Sequence, residues 1–93
     1  MKSLYLSECT EYESGWGSRP DGTVLGKSLE EIQAHIKKGE ECGNHEIFWR
    51  YTKPVEVFCT DEVYDDIVGK MTVEGIIWVN DDDLKKFNFL KKY

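Results

Sequence analysis

The sequence predicts an α+β fold, an antiparallel or mixed sheet of about five strands with two or three helices packed on it. Three observations predict it. Short apolar runs recur at residues 2–10, 23–27, 46–52, 55–60 and 75–79. Helix-capping patterns start at Ser28, at Thr60 or Asp61, and at Asn80. The connectors between them are short and polar, which favours local antiparallel neighbours.

Residues 2–10, KSLYLSECT, read as a first strand with Leu4 and Leu6 on one face. Residues 11–22, EYESGWGSRPDG, hold three glycines, a proline, a tryptophan and an arginine, and read as a loop in which Pro20-Asp21-Gly22 forms a tight turn. A second strand, 23–27, then runs antiparallel to the first. Ser28 and Glu31 have capping-box spacing, so a helix begins after Ser28. Leu29, Ile32, Ala34 and Ile36 supply its buried stripe, Lys37 and Lys38 suit its negative end, and Gly39 suits a C′ stop.

In the third strand, Ile47, Trp49 and Tyr51 share one face, and Phe48 and Arg50 the other. The fourth puts Val55, Val57 and Cys59 on one face. A short helix at 61–68 follows, then a turn at 69–74 and a buried apolar strand at 75–79. Asn80 and Asp81 cap a terminal helix over 81–93, whose acidic start and basic end match the helix dipole.

Ninety-three residues make one domain, 1–93, with a thin core that favours self-association. The three cysteines, Cys9, Cys42 and Cys59, are odd in number and widely spaced, which argues against a disulfide framework. No signal-peptide pattern and no membrane-length apolar run is seen, so the expected location is the cytoplasm. A net charge of −6 disfavours bulk nucleic acid.

Cys42 and His45 have metal-ligand spacing but lack a second pair, so no metal site and no cofactor are expected. No catalytic constellation stands out, and the chain reads as a binding protein and not an enzyme. Asp81, Asp82 and Asp83 read as helix-start acids.

The segment 15–22 is different. Trp16 offers a stacking face, Gly17 and Ser18 a close backbone approach, and Arg19 paired donors for a phosphate or carboxylate. The alternative is a tight turn whose Trp16 plugs the core and whose Arg19 pairs with Asp21 or a neighbour. Phe48, Trp49, Arg50, Tyr51, Phe58 and Trp78 lie on adjacent segments, and Arg50, beside Phe48, either faces solvent or lines a pocket. Asn80 is an N-cap whose amide is also placed to read a base edge.

The segment ESGWGSRPDG, residues 13–22 of a small acidic chain, resembles short proteins encoded by bacteriophages, and among them the first type of Thoeris anti-defence protein. The likeness is looser over 23–38 and 78–82, and the chain is short for the family. The resemblance implies a small α+β homo-oligomer that binds cyclic ADP-ribose isomers made by bacterial TIR enzymes. Such a protein holds the signal intact at pockets between subunits, and some members also hold cyclic oligonucleotides. It implies that Trp16 stacks on the adenine, that Arg19 meets phosphates and that Asn80 hydrogen-bonds the ligand.

Two other readings compete. One is an acidic inhibitor that binds a host nuclease or defence protein through Asp61, Glu62, Asp65, Asp66 and Asp81 to Asp83. The other is an enzyme that cleaves the signal.

Overall fold

The computed structural model describes residues 1–87 and 89–91. Its centre is one long strand, β1 (Lys2–Glu13), paired antiparallel from Tyr5 to Glu13 with β2 (Gly17–Gly26). The segment 11–22 is therefore not a loop. It is the outer half of a hairpin, closed by a turn at residues 14–16.

Gly and Pro normally signal a turn, but here Gly17, Pro20 and Gly22 each have a place in the ladder. Pro20 pairs with Thr10, beyond the reach of the neighbouring strand, where the missing N–H interrupts no further pairing. Pro20-Asp21-Gly22 is a bulge and not a tight turn: Cys9 faces Gly22 and Thr10 faces Pro20, so Asp21 is the extra residue.

The far edge of β1 is shared. Its Lys2–Leu6 half pairs with β4 (Val55–Cys59), and its Cys9–Glu13 half pairs with β3 (Ile47–Tyr51). β5 (Ile76–Val79) flanks β2, and β6 (Leu90–Lys91) flanks β4. The order β5-β2-β1-β4-β6, with β3 beside β1, is antiparallel throughout. Three helices complete the α+β fold: α1 (Leu29–Glu41), α2 (Asp61–Lys70) and α3 (Asp81–Phe87).

The helix starts follow the caps. The Ser28 hydroxyl accepts the Glu31 N–H at 3.2 Å and donates to the Glu31 carboxylate at 2.9 Å, so the return arm of the box meets the hydroxyl. Thr60 accepts the Val63 N–H at 3.3 Å, and Asn80 accepts the Asp83 N–H at 2.8 Å.

The helix ends depart from expectation. α1 runs past Gly39 to Glu41 with Cys42 as its C-cap. Gly39 serves close packing instead, since a Cβ there would come within 2.5 Å of the Tyr51 hydroxyl. α2 extends through Gly69 to Lys70. α3 stops at Phe87 and the chain returns as β6 against β4; of the terminal helix expected over 81–93, Asn88, Lys92 and Tyr93 lie outside the described residues.

Two apolar clusters hold the sheet. Leu4, Leu6, Leu25, Val57, Ile67 and Val79 pack on the side of α2 and α3. Val24, Ile32 and Ile76 pack with Tyr5, Ile36 and Tyr51 on the side of α1. The expected α1 stripe is narrower than the sequence suggested: Ile32 is buried, but Leu29 and Ala34 are exposed. Likewise Val55 and Ile47 are exposed on their strands. No residue from Thr10 to Gly22 is buried, so the outer hairpin is an arm extending from the packed body. The longest axis is accordingly 44 Å, against 25 and 24 Å for the others.

Candidate functional site

The arm tip is built by backbone conformation. Trp16 N–H donates to the Glu13 carbonyl at 3.0 Å, and Gly15, third in that turn, has φ +83°. A positive φ at this position is what a type II turn requires. Gly17 follows at φ +90°. Ser14 N–H donates to the Glu46 carbonyl at 2.7 Å and pins the tip to the segment entering β3. Trp16 is 86% exposed, so it does not plug the core.

Beside it, Arg19 lies opposite Glu11 in the ladder and donates to both Glu11 carboxylate oxygens at 3.3 and 3.4 Å. A Glu13 oxygen is 3.7 Å from the same guanidinium. Arg19 thus pairs with residues on β1 and not with Asp21. Glu11, Glu13, Trp16, Gly17, Ser18 and Arg19 enclose a shallow depression of about 190 Å³.

A second cleft, of about 480 Å³, lies at the bulge between the arm and the start of α3. Thr10, Pro20, Asp21, Gly22, Asn80 and Asp81 are among its walls. Asn80 borders it while its Oδ1 is engaged in the cap. The Cys9 thiol donates toward Asp21 at 4.0 Å. Burial holds this thiol above its ordinary pKa, only partly offset by a hydrogen bond with Tyr51. Burial, with Cys9 beside it, pushes the Tyr51 phenol well up in turn. Burial also raises Cys59, with Asp61 adding to it. A nucleophilic cysteine shows the opposite shift.

The structure brings Trp16, Gly17, Ser18 and Arg19 together and separates them from the rest. Arg50 pairs with Thr10, whereas Arg19 pairs with Glu11, so the alternation of β1 puts the two arginines on opposite faces. Arg50 is exposed, its guanidinium 4.8 Å above the Phe48 ring. Phe48 in turn stacks on Tyr12 at 5.2 Å and 8°.

Trp78 borders neither depression. The strand carrying it is less buried than its apolar run implies, and Trp78 is 43% exposed. Its ring covers Gly22, where a Cβ would meet it at 3.3 Å, and lies 5.6 Å from the ring of His35.

Glu11 and Glu13 were missed by reading the sequence. Their signal was the alternation of β1, visible only if the strand is carried through to residue 13. The acidic residues of α2 are partly engaged locally: Asp61 with the terminal amino group, Asp65 with Lys2 and Asp66 with Lys70, at 3.6, 3.9 and 3.4 Å. Asp83 pairs with Lys86 at 3.8 Å. Among the described residues no three His, Cys, Asp or Glu side chains converge on a point, and no helix is long and apolar enough to cross a membrane.

No family model matches the chain, and neither a curated protein nor a solved structure shows significant similarity to it.

Proposed function

We propose that the protein is a binding protein that sequesters a small cyclic nucleotide of the cyclic ADP-ribose type, an immune alarm in bacteria, and leaves it intact. One observation carries the reading: a tryptophan 86% in solvent, on a hairpin tip pinned by two backbone hydrogen bonds. A large exposed ring on a preorganised turn is a stacking face held ready for a partner, and it loses little further freedom on binding. The likeness of residues 13–22 to the phage anti-defence proteins supplies the ligand class.

The depression beside Trp16 is smaller than the roughly 300–1,000 Å³ usual for small-molecule sites. In this reading a second copy of the chain completes the pocket, and the protein works as a homo-oligomer in the cytoplasm of the infected cell. Sequestration needs affinity and no bond cleavage. The raised cysteine pKa values are compatible with that.

The test is mass spectrometry of purified protein incubated with a panel of cyclic ADP-ribose isomers and cyclic oligonucleotides, desalted and then heat-denatured. Recovery of an intact cyclic ADP-ribose isomer is the expected result. A cleaved product identifies an enzyme instead, and an empty folded protein overturns the reading. Trp16→Ala removes one stacking face worth about 1–3 kcal/mol, a loss of roughly five- to 150-fold in affinity. The melting temperature of the variant is expected to stay near that of the parent, because the ring packs against little. Unchanged affinity in the folded variant would rule out stacking.

A further inference from the structure

We infer that the tip depression reads the ring of its ligand through N–H donors on that ring, accepted by Glu13, and that Arg19 is a positioning residue and not the phosphate contact. The inference rests on the proposed function only in taking the ligand to be a nucleotide.

The guanidinium of Arg19 is held through one nitrogen, Nη2, in a side chain that is 70% exposed. It meets both Glu11 oxygens and one Glu13 oxygen within 3.7 Å. The β1–β2 register puts both carboxylates on the face of Arg19, with Glu11 opposite Arg19 and Glu13 opposite Gly17. The Glu11 side chain is only 12% exposed. Two carboxylates against one guanidinium leave the depression negative, in a chain whose net charge is −6. A phosphate reaching Arg19 would lie beside two carboxylates, and among the described residues no other Lys or Arg borders this depression to compensate.

The same arrangement suits a donor-bearing ring. Trp16 gives the flat face. Glu13 is more open than Glu11, at 37% exposure, and a carboxylate has about four lone-pair sites, so it can hold Arg19 and accept another hydrogen bond. A cavity of about 190 Å³ is small for a whole nucleotide and suits a single ring. The chemical class is therefore a base with exocyclic or ring N–H groups on its exposed edge. The phosphates of the same ligand lie outside this depression.

The experiment follows the indole N–H resonance of Trp16, identified among the three tryptophans by its loss in Trp16→Phe, during titration with adenosine, N6,N6-dimethyladenosine or inorganic pyrophosphate. Adenosine is expected to bind about tenfold more tightly than the dimethyl compound, which keeps the ring but lacks the N–H donors. Pyrophosphate is expected to leave the resonance in place. Glu13→Ala is expected to abolish the tenfold preference, and Glu13→Gln, which keeps a carbonyl acceptor, to restore part of it.

Equal binding of the two nucleosides, no binding of adenosine, or a shift caused by pyrophosphate would overturn the inference, even if a cyclic ADP-ribose isomer were captured. Conversely, a preference for adenosine with no capture of any isomer would leave this inference standing and remove the proposed signal.

Discussion

His35 carries a buried ring nitrogen, Nε2, with no hydrogen-bond partner among the described residues. Its ring meets those of Tyr51 and Trp78 edge-on at 6.0 and 5.6 Å, and Lys38 and Glu74 are the charged groups that act on it. Burial lowers its pKa below the ordinary 6.5; Glu74 opposes the shift and Lys38 adds to it. The sign follows from linkage. Between the folded and unfolded pKa values the unfolded chain binds more protons, so stability rises with pH there and is lost as pH falls below about 6.5. Denaturation midpoints measured from pH 7.5 down to 5 are expected to fall in this window. His35→Gln, which cannot ionise, is expected to flatten that part of the profile. An unchanged slope in the variant would assign the dependence to other groups.

Asn80 shows how one element assigns a side chain two possible duties. Its Oδ1 caps α3 through Asp83, and the residue also borders the cleft at the bulge. Aspartate caps as well as asparagine but offers no amide donor. Asn80→Ala is expected to cost about 1 kcal/mol in chemical denaturation, and Asn80→Asp close to nothing. If Asn80 also holds ligand, Asn80→Asp loses affinity while keeping stability; full affinity there confines Asn80 to the cap.

The caps at Ser28, Thr60 and Asn80 were legible because a cap is a local event written within four residues. The core positions Leu4, Leu6, Ile32 and Val57 were legible from periodicity. The arm was not. Gly15, Gly17, Pro20 and Gly22 signal turns individually, and only the pairing partner on β1 decides that Pro20 and Gly22 lie in a ladder. Gly39 was misread for the same reason. What it accommodates is Tyr51, from another element. The candidate site followed suit: Trp16 and Arg19 stood out by residue type, whereas Glu11 and Glu13 became visible only with the register that sets them around Arg19.

Taken as a whole, the molecule divides its stability unevenly. The body has a helix on each face of the sheet and contains every buried residue among those described, including Leu4, Leu6, Val24 and Leu25 at 6% exposure or less. The arm beyond Cys9 has ladder hydrogen bonds, the Arg19 pairs and the Tyr12–Phe48 stack, but no buried side chain. Local opening is easiest where few apolar contacts must break. Amide hydrogens at residues 10–13, 17–19 and 21 are therefore expected to exchange faster than those at 4–6 and 24–25. A ligand that bridges the tip adds its binding free energy to the closed arm and leaves openings confined to the body unchanged. Exchange with and without a captured nucleotide should thus slow at residues 10–21 and remain the same at 4–6. Equal slowing in both regions would mean that the arm and body open as one unit, and protection confined to the bulge would move the binding site from Trp16 to the cleft beside Asn80.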